Sequence, residues 1–509
     1  MTISRFTAGL LAASSLALVA APAFAQDQAA PAAEAAAPTA DETAAQTAFL
    51  AAQIEALQAQ VEALKKQMTN VAPSWKGAPQ WSDSSGWSFK PKGVIQFDAG
   101  YVSIPGKLSG VGTQLVGTSV AGSGQINTNN LGWNMRARRL IFGAEGSIPG
   151  GFGYKFELQV AQGTVDYEDM VLTYQKPGSP FLTTVGYQYP LSSLELLTSN
   201  RFTSFMERAT MNDAFGYGRR LGGSVAYLDP AGRYTLTAGV YGGNEIVDST
   251  NFNRNAWQAS VRGTYSPMIG EIQAHLGFNF QHRVAASDSR AVRYRARPFS
   301  QTTDQRFIDT GRIAAKGDDI LGVEVAGVWK SLHVASEVQK VWVRGISTNA
   351  FGPNNGPAAA VGSAGSAIFP LNDPDFTSAY IEAGYFLTGE TRGYKGGKWD
   401  RTKVLNPLDK GGWGAWQING RVDYTDLGDR VAPGAIASGT TYVNGGKMTG
   451  YQASLIWLPI DYIKFMLQYS HAHVEGGIGA TTPFTTSTTN FFDRGYNVDQ
   501  AGLRAQLDF

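Results

Sequence analysis

Three segments far apart in the chain share one pattern, an alternation of apolar and polar residues with a period of two. In FGYKFELQVA, Phe152, Tyr154, Phe156, Leu158 and Val160 alternate with Lys155, Glu157 and Gln159. In EIQAHLGFNFQHR, Ile272, Ala274, Leu276, Phe278 and Phe280 alternate with Gln273, His275, Asn279, Gln281 and Arg283. In WGAWQINGRVDY, Trp416, Ile418, Val422 and Tyr424 alternate with Gln417, Asn419, Arg421 and Asp423. That period puts successive side chains on opposite faces of a strand. A strand with lipid on one face and water on the other requires it. A soluble barrel with a dry interior would show the same period, but the chain length and the number of such segments favour the membrane version.

Sixteen segments carry the pattern: 88–103, 134–147, 152–162, 168–176, 181–189, 219–229, 233–243, 255–266, 271–283, 319–331, 332–343, 377–388, 413–425, 449–459, 462–474 and 498–509. An even count suits a bacterial barrel with both ends in the periplasm. The connections sort by parity. The tight turns IPGG, KPGSP, DPAG, SPMIG, KS and LPI follow even-numbered strands, and long Gly/Asn/Thr-rich segments mostly follow odd-numbered ones. Short periplasmic turns and long outer loops have this asymmetry. Residues 389–412, long but after the twelfth strand, break the rule. The last strand, AGLRAQLDF, alternates to a terminal Phe509 and resembles the assembly signal of bacterial outer-membrane proteins. The fold expected is all-β, a transmembrane antiparallel barrel of 16 strands over residues 75–509.

The first residues set the compartment. Arg5, an apolar run from about Leu10 to Val19, and Ala23-Phe24-Ala25 before Gln26 read as a signal peptide over 1–25. The run is too short for a spanning helix, which needs ~20 residues. An Ala/Pro-rich linker occupies 26–40. In 41–70, Leu50, Ile54, Leu57, Val61, Leu64 and Met68 fit the a and d positions of three heptads, the pattern of a short periplasmic coiled coil. It would lock a homotrimer or contact the cell wall. There is no Cys, so neither a disulfide framework nor a thiolate zinc site is available. Lys and Arg number 42 against 41 Asp and Glu, a balance without the basic excess of nucleic-acid binding.

Residues 186–209, GYQYPLSSLELLTSNRFTSFMERA, interrupt the alternation. Leucines fall at helical spacing, and Ser192/Glu195 and Ser204/Glu207 have the spacing of capping boxes. The stretch lies between the fifth and sixth strands, in the third outer loop, at about 190–218. A channel needs a structured constriction whose charges decide which ions pass, and this loop fits that role.

Several stretches resemble the phosphate-selective porin O and P family. They are SLELLTSNRFTSFMERA (193–209), FLTGETRGYKGGKWDRTKVLNPLDKGGWGAWQINGRVDYTDL (386–427), and RARRLIFGAEG followed by YKFELQVA. The resemblance implies trimers of sixteen-stranded barrels whose arginine-lined pores admit anions. Carried over by position, Arg138 and Arg139 match paired pore arginines, and Arg208 matches a basic residue at the constriction. Arg201 falls near a basic position of the same loop, Glu168 or Asp169 matches an acid beside the anion path, and Glu195 and Glu207 are the loop's own acids. Arg138 and Arg139 are adjacent, so a regular strand turns only one inward, and using both requires a bulge. Arginine suits oxyanions because its planar fork holds two oxygens and never loses its charge. Where phosphate-selective members place a lysine after the Leu-Glu of this loop, this chain has Leu196.

The remaining lumen-facing charges read as mixed: Lys155, Arg262, Arg283, Lys330, Arg421, Lys464 and Arg504 against Asp98, Glu157, Glu324, Asp423 and Asp508. A basic cluster in the fifth outer loop (Arg283, Arg290, Arg293, Arg295, Arg297, Arg306 and Arg312, with Asp288, Asp304 and Asp309) serves equally as an anion funnel or as a contact for lipopolysaccharide phosphates. An enzyme is disfavoured, because none of the five His lies beside a Ser or acid motif. His471 and His473 share a strand face without ligand partners, so no metal and no cofactor are expected. The reading is an outer-membrane porin of a Gram-negative bacterium for small solutes, biased toward anions such as phosphate. The alternative is a general diffusion porin with little selectivity.

Overall fold

The computed structural model describes residues 40–71, 73–75, 77–104, 131–243, 256–285, 291–346, 372–429, 443–476 and 495–509. The expected signal peptide, the linker as far as residue 39, and Arg290 and Asp288 lie outside them. Two compact units divide the chain near residue 69. Among the described residues the first contributes one helix, α1 (Ala40–Val71), whose Leu50, Ile54, Leu57 and Val61 are all exposed.

The second unit is a barrel. Its strands are β1 (Ser88–Val102), β2 (Gly132–Ile148), β3 (Phe152–Gln159), β4 (Asp166–Tyr174), β5 (Phe181–Gln188), β6 (Arg220–Leu228), β7 (Tyr234–Gly242) and β8 (Trp257–Tyr265). There follow β9 (Ile272–Val284), β10 (Ile313–Trp329), β11 (Leu332–Ile346), β12 (Asp375–Phe386), β13 (Ala415–Asp429), β14 (Val443–Ile460), β15 (Ile463–Glu475) and β16 (Tyr496–Asp508). Each pairs antiparallel with its sequence neighbours, and β16 returns to β1 through Leu503↔Ala99 and Arg504↔Asp98. Closure leaves no sheet edge unpaired, as a hydrocarbon environment demands. Beyond β16, Phe509 N–H donates to Gly93 O, and Gly93 N–H returns to Phe509 O, both at 3.1 Å. The terminal ring lies on Gly93, where an added Cβ would stand 2.3 Å from it.

Burial is inverted relative to a soluble protein. On β16 Leu503 is 56% exposed while the adjacent Arg504 is 2% exposed. The same contrast runs round the wall. Phe97, Leu172, Val225, Leu276, Val323, Ile381 and Leu467 face out, and Gln96, Asp98, Arg262, Glu324, Glu337, Arg421 and Gln468 face in. Apolar residues cover the outside because lipid is there, and polar residues line the inside because water and inward-folded segments are there.

The wall is uneven. Strands β3 to β8 have eight or nine residues, whereas β9 to β16 have 12 to 18. The sequence pattern locates all sixteen strands but shortens β10 and β14, which begin at Ile313 and Val443 rather than 319 and 449. Their extra residues, such as VNGGKM (443–448), carry no apolar alternation. Lys330 leaves the predicted lumen set, since it sits exposed in the turn after β10 and pairs with Glu271 at 3.2 Å.

Candidate functional site

Between β5 and β6 the chain folds into the barrel and is held against the tall wall by side chains of that wall. Two short helices, α2 (Leu194–Leu197) and α3 (Thr210–Ala214), open with free N–H groups that need acceptors. Glu337 of β11 accepts from Leu194 and Glu195 N–H, each at 2.9 Å, and Asp423 of β13 accepts from Thr210 N–H at 2.9 Å. Gln468 of β15 accepts from Met206 N–H at 2.7 Å, and Lys464 donates to Arg201 O at 2.8 Å.

The capping boxes need correction. The N-cap of α2 is Ser193, whose hydroxyl accepts from Leu196 N–H at 3.1 Å, while Ser192 receives hydrogen bonds from Gln281 and Gln339. No helix starts at Ser204, whose hydroxyl instead donates to Glu382 at 3.1 Å and meets Arg392. The two glutamates are drawn off as ion-pair partners, which are stronger acceptors' work than a cap in a buried site. Glu195 turns behind the loop. It pairs with Arg421 and accepts from Ala209 N–H and Asn212 Nδ2 at 2.7 and 2.8 Å, so it does not face the passage.

The paired arginines of β2 are both directed inward by a bulge. Gln96 of β1 opposes Arg139 and Phe97 opposes Ala137, leaving Arg138 as the extra residue. A second bulge lies two strands away, where Phe156 opposes Met170 and Leu158 opposes Tyr167, so that Glu168 and Asp169 face Glu157 alone. Both acids pair with Arg219, Asp169 at 2.5 Å, and Lys155 binds Asp169 at 2.6 Å.

Two chambers meet at this level. The first, about 520 Å³, is bounded by the loop after β9 with Arg293, Arg295, Arg297 and Arg306. The second, about 620 Å³, is bounded by Lys155, Arg201, Arg219, Lys395 and Lys398. Common to both are Arg138, Arg139, Tyr189, Leu196 and Arg208, which stand where the two chambers meet, the candidate narrows. Arg138 holds Glu207 through two hydrogen bonds of 2.7 and 3.0 Å, Arg139 lies 3.9 Å from it, and Arg504 reaches it at 3.0 Å. Arg139 also donates to Gln96 at 2.7 Å. Arg208 donates to two carbonyl oxygens, Glu195 O at 2.9 Å and Thr198 O at 2.7 Å, so its charge meets no carboxylate there. Arg138, Arg139 and Arg504 thus share Glu207, and Arg504 is paired with Asp98 as well. Arg201 and Asp169 are lower, on the wall of the larger chamber, with Arg201 3.0 Å from Glu157.

Two further segments fold inward. The loop after β9 crosses to β2, where Arg136 pairs with Asp304 at 3.1 Å and Asn134 donates to Thr302 O at 2.6 Å. Hydrogen bonding from Arg136, against the opposing effect of partial burial and helped by Arg297, holds the Asp304 carboxyl below its usual range. Residues 387–414, the parity exception, form a hairpin (Gly393–Lys395 with Lys398–Asp400) beneath the constriction loop. Its Arg392 donates to Phe202 O at 3.1 Å, and Trp399 N–H reaches Thr198 Oγ1 at 3.2 Å. The sequence did not mark Lys395 and Lys398 as channel residues, although the length of this connection was the available signal. Most of the other predicted lumen cations are engaged with the wall: Arg262 with Glu324 at 2.6 Å, Arg504 with Asp98 at 2.7 Å, and Arg283 with Asp318.

A family model described as phosphate-selective porin O and P matches residues 120–509. The chain belongs to that family. This porin is accordingly a passive channel of the Gram-negative outer membrane. A curated relative, an uncharacterized protein of Caulobacter vibrioides, is 34% identical over 444 residues, covering 86% of this chain and 77% of its own. Among solved structures, the outer membrane channel DcaP of Acinetobacter baumannii aligns at TM-score 0.44 and 12% identity, over 84% of this porin and 99% of that chain. An anion-selective porin from Comamonas acidovorans aligns at 0.44 and 10%, over 83% and 100%. Pseudomonas putida OprB aligns at 0.47 and 9%, over 84% and 94%.

Proposed function

We propose that this porin passes small anions in preference to cations, phosphate included. The observation that carries the reading is the set of charges where the two chambers meet, Arg138, Arg139 and Arg208, with Glu207 the carboxylate beside them. A unit charge within ~4–6 Å of a passing ion is worth a few kcal/mol at an effective dielectric of ~20, so the sign of this excess decides which ion enters. The chambers on either side support it: the first is lined by seven arginines against Glu207 and Asp213. The test is the zero-current potential of the reconstituted protein across a KCl gradient. Chloride preference that falls in Arg138→Ala and Arg208→Ala is expected. A potential near zero, or of the cation-selective sign, would refute it and leave a general diffusion porin.

The same proposal includes a homotrimer. A membrane strand needs ~9–11 residues, and those of β3 to β8 reach eight or nine. Packing this low wall against further copies would keep its ends from lipid. The exposed stripe Leu50, Ile54, Leu57 and Val61 of α1 is suited to the same association.

A further inference from the structure

The narrows are cationic, but they are not polar all round. Beside Arg138, Arg139 and Arg208, both chambers share the isobutyl group of Leu196 and the ring of Tyr189. The apolar strip continues into the larger chamber as Leu197 and Phe202, which are half-buried and line it. Leu196 has this place because the backbone N–H groups of Leu194 and Glu195 are fixed to Glu337 and the Glu195 side chain is drawn to Arg421. The next residue, itself only 6% exposed, then lines both chambers. Tyr189 is likewise fixed, with the Arg219 guanidinium 4.1 Å from its ring centroid.

A compact inorganic oxyanion carries water on every side. Here it would exchange that water for guanidinium donors on one flank and for hydrocarbon on the other, and an uncompensated loss of hydrogen bonds is costly. An anion with its charge at one end and an apolar body at the other loses nothing. Its carboxylate meets the arginine forks, and its body covers Leu196, Tyr189 and then Phe202. We infer that the solutes this porin binds best at its narrows are organic anions, a carboxylate carried on a small apolar or aromatic body, rather than inorganic phosphate. The inference rests on the anion reading above.

The test uses single channels of the full-length protein in KCl with benzoate, acetate or inorganic phosphate added at equal charge concentration. Benzoate should block the chloride current at concentrations several-fold below acetate and phosphate. Leu196→Asn, which keeps the branched shape of the side chain and adds no charge, should remove the advantage of benzoate while the chloride preference in KCl keeps its sign. Equal block by benzoate and acetate, or tightest block by phosphate, overturns the inference while a chloride-selective potential keeps the anion reading standing. A benzoate advantage that survives in Leu196→Asn also overturns it, because the apolar contact would then lie elsewhere. A cation-selective potential removes both.

Discussion

At the scale of single residues, position 196 has the most leverage on transport. It lies at the junction of the two chambers with no charge of its own. Leu196→Lys would add a fourth cation, and a unit charge ~8–10 Å from a bound anion is worth about 2 kcal/mol at an effective dielectric of ~20. Block by phosphate should therefore tighten by up to about thirtyfold, measured as the half-blocking concentration at fixed KCl, while the benzoate advantage shrinks. Asp304 offers a pH test of the loop after β9. Its carboxyl is held below the ordinary range by Arg136, so the Arg136–Asp304 tie is fully present above the unfolded value, ~3.9, and is lost as pH falls through the lower folded value. The contribution of this tie, read as the conductance difference between the wild type and Asp304→Asn, should hold on acidification to about pH 5 and fade only below about pH 4. The arginine pair was legible in the sequence, and so was the need for a bulge to use both members. Glu195 was misread because its partner, Arg421, stands 226 positions along the chain, and no local spacing reports such a pair.

At the scale of elements, the bulge at Arg138 has an unusual corollary. Deleting one residue from a strand normally moves every later side chain to the opposite face. Here Arg138 is the unpaired residue between Ala137 and Arg139, each already matched to Phe97 and Gln96. Deleting Arg138 should leave a closed, heat-modifiable barrel with weakened chloride preference, whereas deleting Leu140 should prevent assembly; electrophoretic mobility before and after boiling distinguishes them. The constriction loop gives a second prediction. Glu337→Ala removes the acceptor of two N–H groups at the start of α2 and leaves Tyr380 Oη without its 2.6 Å partner. Each such loss costs ~1–3 kcal/mol, so the variant should show larger and noisier single-channel currents without a change of ion sign. Strand number, parity and the inward loop could be read from periodicity because lipid imposes it. The ends of β10 and β14 could not, since their extensions lack lipid-facing alternation. The hairpin at 393–400 shows in the sequence only as a connection too long for its side, because its fold depends on Arg392, Trp399 and Arg401 finding Glu382, His333 and Asp508 on other strands.

For the whole molecule, the unevenness of the wall should govern how copies associate. Val225 stands 48% exposed on the short side and Leu467 51% exposed on the tall side. Val225→Arg should dissociate the proposed trimer to folded monomers on native gels. Leu467→Arg, facing lipid, should lower membrane stability by ~2–4 kcal/mol near the midplane without that dissociation. If both variants remain trimeric, the short wall is not the contact. The ties between loop and wall carry another implication. Glu337, Asp423, Arg421, Gln468 and Lys464 come from three strands, β11, β13 and β15, and all close on residues 194–210. Loop and wall are therefore one inherited part. A graft of residues 190–218 onto a foreign barrel would arrive without its moorings and fall slack, and only a transplant that carried those five wall side chains with it would rebuild the passage.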